Sequence, residues 1–289
     1  MALVTAKQVS EVAIPLLRRT LVLPMTVARA AGTEFSGDNG DTVVVRVPQP
    51  GSARKQVTRG ADITFDDINE VGVDLKVFHL YHAKLVSDEE RTLDIINFAS
   101  QITAVQVAAV AEGAEDELAG EMDGVTADET GIDGTSAAAV KKAILDARQA
   151  LSDADVPASD RYMAVGTSVA SAILNIPDFT RVDASGDDDA LRNAVIGRLY
   201  GFTFVESNAI ETNSAVAYHR TGFVMANRAP LAPTGAADAA TIADSGLALR
   251  QVFQYQPDKL SDASVLSTFA GAKLVDANRV YKFEIAGDS

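Results

Sequence analysis

The chain has 289 residues, 40 acidic against 25 basic, a formal net charge of -15 and no cysteine. This length supports a sizeable apolar core, and the missing thiols exclude disulfides, thiolate metal sites and thiol redox chemistry. The acid excess argues against a protein that wraps nucleic acid, which needs clustered Lys and Arg.

The N-terminal apolar stretches are interrupted by Lys7, Glu11, Pro15, Arg18, Arg19 and Pro24, so neither a signal peptide nor a membrane span is expected, and no membrane partner. Residues 1–34 read as an arm, with a helical stretch at 6–14, a stop near Pro15, and an apolar run at 21–27 broken by Pro24. Those apolar residues need another surface to cover them, within the chain or on a neighbour. The turn cluster SGDNGD leads into TVVVRV, where Val43, Val44, Val45 and Val47 predict a strand ended by Pro48, Pro50 and Gly51. A polar, basic loop tip runs to Gly60, followed by a returning strand over 71–86. A two-stranded hairpin of this kind is marginal alone in water, so it is expected to lie on something.

Ser87 with Glu90 forms a capping box, and Asp94 is a second N-cap candidate, for the strongest helix of the chain. Its apolar residues Ile95, Phe98, Ile102, Val105, Ala109, Leu118 and Met122 share one face. Gly113 and Gly120 each cost it about 0.5–1 kcal/mol relative to Ala, which makes them bending points. A turn-rich acidic segment at 123–134 ends it. Ser136 then caps a second helix with Val140, Ile144, Ala147 and Leu151 on one face, closed at Val156 and Pro157. Short elements follow: a strand at 162–165, a helix at 168–174, and strands at 202–205 and 215–218, a compact α+β unit. A loose segment over 228–246 leads to three final strands at 247–255, 265–269 and 279–285.

The charges are unevenly distributed. From Thr92 to Val140 there is no Lys or Arg, and Glu112, Glu115, Asp116, Glu117, Glu121 and Asp123 crowd one helix segment. From Thr42 to Ala61 there is no acid, and Arg46, Arg54, Lys55 and Arg59 stand on the hairpin. The two stretches are charge-matched, although each alone reads as a solvated face.

Motifs for chemistry are missing. His79 and His82, three apart on a strand, point to opposite faces and cannot share a metal ion. His219 has no G-x-S-x-G serine to pair with, since Gly166-Thr-Ser-Val-Ala170 lacks the second glycine. Neither phosphate-binding glycine motif is present. The acidic loops 38–41 and 183–189 do not match a calcium loop. No catalytic residue, cofactor or metal site is expected.

The order arm, long hairpin, long helix, compact α+β insert and returning strands resembles the major capsid proteins of tailed bacteriophages, the Hong Kong phage capsid fold shared with encapsulins. GDTVVVRVP resembles the ascending strand of that family's extended loop, SDEERTLDIINFASQ the start of its spine helix, and IGRLYGFTFVESNAI part of its axial domain. VLSTFAGAKLVDANRVYKFEI resembles its final peripheral strands. The resemblance implies an α+β fold with an N-terminal arm (1–34), an extended β-hairpin loop (35–86), a peripheral domain with a long spine helix (87–134), an axial domain (135–227) and a return to the peripheral domain through C-terminal strands (228–289). The chain is too short for a large inserted domain. Some members crosslink subunits through a Lys and an Asn assisted by a Glu. Lys55 lies where such a lysine would sit, but no Asn and Glu can be assigned to it, so no crosslink is expected.

The function so implied is a major capsid protein, not an enzyme. It self-assembles into pentamers and hexamers of an icosahedral shell enclosing a double-stranded DNA genome. Its partners are itself, a scaffolding protein, a portal and a cement or decoration protein, with the packaged DNA held without sequence-specific binding. The protein would reside in the virion, and in the host cytoplasm during assembly. Because the family lays its extended loop across a neighbour's peripheral domain, Arg54, Lys55 and Arg59 are expected to meet Glu115, Asp116 and Glu121 between subunits. An encapsulin-like compartment holding a cargo enzyme has the same fold and is the alternative. A soluble hydrolase using His219 is a third reading.

Overall fold

The structure, a computed structural model, describes residues 22–30, 42–48, 70–90, 102–176, 195–235, 238–244 and 247–286, with positions 51, 53–60, 62, 65 and 92. The helix expected at 6–14, the capping candidate Asp94, the apolar residues Ile95 and Phe98, and the loops 38–41 and 183–189 lie outside the described residues.

Two mixed sheets and one long helix organise the rest. Strand β1 (Ala28–Arg29) lies in the arm, and β2 (Thr42–Pro48) pairs antiparallel with β3 (Glu70–Lys76) as a two-stranded ribbon. Strand β4 (Phe78–Ser87) leads to α1 (Ala104–Asp123). Then come β5 (Glu129–Ile132), α2 (Ala137–Asp153), β6 (Arg161–Val165), α3 (Thr167–Leu174), β7 (Val195–Leu199), β8 (Phe202–Glu206) and β9 (Ser214–His219). The chain closes with β10 (Phe223–Arg228), β11 (Asp238–Asp244), β12 (Leu247–Gln256), β13 (Ser261–Leu274) and β14 (Val280–Ile285). One sheet has the order β1-β10-β13-β12-β11, with β4 on the other side of β13, and the second has the order β5-β14-β9-β6-β8-β7.

The second sheet is buried on both faces, and the alternation of its side chains assigns each face a partner. Met163, Val165, Phe202, Phe204, Ala215, Ala217 and Phe283 pack with Val140, Ile144, Ala147 and Leu151 of α2 and with α3. The intervening residues Ala164, Val205, Val216 and Tyr218 turn the other way, toward Ala114, Leu118, Ala119 and Met122 of α1. The same stretch of α1 also covers Met225, Ala270 and Ala272 of the first sheet, so this helix joins the two sheets. Ser136 caps α2 by accepting from the Ala139 N–H, as its sequence position implies. Tyr200 and Gly201, with φ of 52° and 90°, make the tight turn between β7 and β8, a conformation that suits glycine at the second position.

Several expectations are corrected. The return strand 71–86 is broken at Val77: β3 belongs to the ribbon and β4 to the first sheet. The break occurs where the chain crosses Gly271, since a Cβ there would lie 2.1 Å from the Lys76 carbonyl oxygen. The loose segment contains β11, paired along its length with β12, and the central C-terminal strand runs over 14 residues instead of five. Alanine-rich DAATIAD and Ser/Ala/Gly-rich SDASVLSTFAGAKL have weak intrinsic strand preference, so only their pairing reveals them. Strands β5, β7 and β10 also form where none was expected. The last strand, grouped in sequence with the two before it, adds to the second sheet between β5 and β9.

The helix stripe is rotated. Ile102, Leu118 and Met122 are buried as expected, but Val105 is 57% exposed. The buried positions between them hold Thr103, Gln106, Val107, Val110, Ala111 and Ala114. Gln106, fully buried, donates to the main-chain carbonyls of His82 and Ser264 and accepts from the Ser264 hydroxyl. A polar residue satisfied by strand carbonyls thus takes a place that hydrophobicity alone gives to Val105.

Candidate assembly surface

The ribbon is fixed at its base and open toward its tip. Val43 and Leu75 pack against Val224 and Ala226 of β10, with Ala28 beside them. Val44, on the other face of the ribbon, and Val71, farther out, are exposed, and residues 53–60 are exposed throughout, including Arg54, Lys55 and Arg59. Val57 and Phe65 stand 87% and 84% exposed on the same excursion. Among the described residues the hairpin therefore lies on its own chain at its base. Apolar side chains left this exposed mark a contact surface.

The acidic helix segment divides into two groups. Glu115 turns inward: its carboxylate accepts from the Leu23 N–H at 3.2 Å and the Ser207 hydroxyl at 3.4 Å. Burial pushes its pKa up, opposed by the Leu23, Val22 and Ser207 donors and aided by the charge of Asp116. Leu23 and Val27 beside it are fully buried, and the Thr26 and Tyr218 hydroxyls share a hydrogen bond, so this part of the arm is covered within its own chain. Glu121 pairs with Lys273 at 3.0 Å, and Asp123 accepts from the Glu211 N–H. Asp116 is exposed, and the pKa of Glu117 is raised by burial and by Asp116 and Glu121.

Asp116, Glu117 and Glu121 line a cleft of ≈ 350 Å³ together with Asp74, Lys76, Phe78 and Lys273, between the ribbon base and the helix. No ion pair joins the loop tip to the acidic helix within the chain among the described residues. Of the six expected contact residues, Arg54, Lys55, Arg59 and Asp116 face outward, while Glu115 and Glu121 hold their own chain together. Half-buried Glu117 and exposed Asp74 are cleft carboxylates outside those six. Glu117 sits in the same acidic run, but Asp74 reaches the cleft only because the ribbon folds back over the helix.

The expected histidine geometry is observed. His79 lies against Phe269 with ring centroids 4.7 Å apart, and its pKa is lowered by burial and by Arg250. His82, on the opposite face, has a buried ring nitrogen. His219 shares a hydrogen bond with the Thr221 hydroxyl at 2.8 Å, in a β-turn and not beside a serine. Among the described residues no cluster of His, Asp and Glu could hold a metal ion, and no helix is long and apolar enough to cross a membrane.

Comparison with known proteins decides the family. The sequence model of the phage capsid protein family matches residues 81–234, over half of the chain. The chain belongs to that family. It is a structural subunit, a major capsid protein. Its fold matches a structure from Mycobacterium phage Che8 with TM-score 0.64 and 24% identity, over 91% of this chain and 90% of that one. The capsid structure of Cyanophage P-SCSP1u matches with TM-score 0.63 and 11% identity, over 93% and 89% of the two chains. A crystal structure of a virus-like particle from Pyrococcus furiosus matches with TM-score 0.57 and 11% identity, over 96% and 98%. No curated protein sequence matches. Each alignment spans nearly the whole length of this chain, so the likeness is of the overall α+β fold.

Proposed function

We propose that this capsid subunit closes an icosahedral shell of pentamers and hexamers around double-stranded DNA, with the ribbon tip of each copy seated in the acidic cleft of a neighbour. The observation that carries the contact is the hairpin itself: its base is buried on β10, while Val57, Phe65 and the cations Arg54, Lys55 and Arg59 project from it exposed. The receiving carboxylates are Asp116, Glu117 and Asp74, because Glu115 and Glu121 serve contacts within their own chain. Each exposed ion pair is worth only about 0–1 kcal/mol. A shell repeats it at every boundary, so the sum governs assembly.

In this reading the sheet of β4 and β10–β13 with α1 is the peripheral domain, and the sheet of β5–β9 and β14 with α2 and α3 is the axial domain. The chain crosses between them at the turn 220–222 and returns at 275–279. The work of the protein is assembly and not catalysis, in the host cytoplasm and then the virion. Scaffold, portal and cement proteins are its further partners.

The likeness to the virus-like particle from Pyrococcus furiosus keeps a second reading in view, a compartment shell for a cargo enzyme. Electron microscopy of the expressed chain, with nucleic acid assayed in the particles, separates the two: filled phage-sized shells support the first, and small shells loaded with protein support the second. Arg54→Glu with Arg59→Glu should abolish or misdirect assembly, and Asp116→Lys with Glu117→Lys in the same chain should partly restore it. Unchanged assembly of the tip variant at both low and high salt would refute the contact, since the Debye length falls from about 10 Å at 0.1 M to about 3 Å at 1 M.

A further inference from the structure

A second cationic feature lies at the crossing between the two sheets. The Ala28 N–H donates to the Arg220 carbonyl at 2.8 Å, which sets β1 and its Arg29 directly beside the turn between β9 and β10. Arg29 is half-buried on β1, and Arg220 is exposed on the turn. Among the described residues no carboxylate pairs with either guanidinium, although the chain has 40 acids for 25 bases. The neighbouring cations have hydrogen-bond or ion-pair partners within the chain. Arg279 pairs with Asp276 at 2.9 Å, and Arg161 donates to the carbonyls of Arg148, Val156 and Pro157 and to the Ser152 hydroxyl. The charge of Arg220 acts on Arg29, and the half-buried Arg29 has lost part of its hydration, so an anion held between the two side chains would relieve both effects.

We propose that Arg29 and Arg220 form a seat for carboxylates of a second copy of this chain, a contact separate from the ribbon tip. Guanidinium forks match carboxylates and phosphates alike. The net charge of -15 favours the protein partner. Copies of so acidic a chain repel one another, and a pair of arginines with no carboxylate partner among the described residues offsets that repulsion, whereas the same field opposes the approach of DNA. The contact is heterologous, cation on one copy and acid on the next, as a closed ring of subunits requires.

The inference rests on self-assembly of the capsid subunit and is tested on the full chain. The assembly threshold concentration is measured by light scattering and sedimentation across salt concentrations for wild type, Arg220→Gln and Arg29→Gln with Arg220→Gln. The double variant should raise the threshold about tenfold at low salt, as expected for two lost charge-assisted contacts, and flatten its salt dependence. Arg29→Lys with Arg220→Lys should recover part of the loss. Arg220 is exposed on its turn, so the single variant, with about half the effect, stands if the double variant folds poorly.

A wild type that stays monomeric overturns both the shell reading and this one. Wild-type shells with variants assembling at the same threshold overturn only the arginine seat. If assembly is unchanged but binding of a short DNA duplex to the subunit falls in the variants, the anion is a phosphate and the protein partner is refuted.

Discussion

Replacing Leu118 and Val105 by alanine contrasts two positions on one helix that hydrophobicity alone places on the same face. Leu118 is 0% exposed, within a cluster that includes Leu23 and Val27 from the arm, Tyr218 from β9, and Phe223 and Met225 from β10. These walls belong to separate elements tied by sheet and turn hydrogen bonds, so the space left by the lost methyl groups cannot close easily. Leu118→Ala should therefore fall in the upper part of the range for buried Leu→Ala, about 3–5 kcal/mol of transfer and cavity terms together. Val105 is 57% exposed, and its methyl groups are already largely wet, so Val105→Ala should change stability by no more than about 0.5 kcal/mol. The assay is urea unfolding of the soluble subunit followed by far-ultraviolet circular dichroism, since the chain has no tryptophan. Midpoints are compared at equal slope. Equal losses for the two variants, or a larger one for Val105→Ala, would refute the helix register and with it the account of how α1 joins the sheets.

Gly271→Ala should cost about 1–3 kcal/mol by forcing the Lys76 carbonyl away from β13, and it should tilt the ribbon, read as faster amide exchange over β2 and β3 with that of β12 unchanged; unaltered exchange at the ribbon base would show that the crossing is not tight. Glu115 has a pKa raised by burial, so the folded chain binds its proton more strongly than the unfolded chain. Its contribution is accordingly full below the ordinary carboxyl value of 4.5 and is lost as pH rises through the raised folded value. Glu115→Gln, which keeps an acceptor for the Leu23 N–H, should flatten stability across that window, whereas Glu115→Ala should cost about 1–3 kcal/mol by leaving a buried donor unmet. A wild-type pH profile superimposable on that of Glu115→Gln would count against the assignment.

Local chemistry was legible wherever a few adjacent residues act on one another. Ser87 and Glu90 do form the reciprocal capping box, with the Ser87 N–H at 3.0 Å from the Glu90 carboxylate and the Glu90 N–H at 3.2 Å from the Ser87 hydroxyl. The face of α2 and the opposite orientations of His79 and His82 were also readable from spacing, and the order of parts resembles that of phage capsid proteins. The rest was set by distant partners. Alanine-rich β11 is a strand because β12 lies beside it, and β13 is 14 residues long because β4, β10 and β12 all pair with it. Gln106 is buried because strand carbonyls 24 and 158 residues away accept its hydrogens. The acidic run shows the same division. Sequence determined that Glu115, Asp116 and Glu121 lie close together on one helix without a local cation. Only the tertiary structure decided that Glu115 holds the arm, that Glu121 meets Lys273, and that Asp116 is left facing outward, because a carboxylate takes whatever donor the fold brings within hydrogen-bond reach.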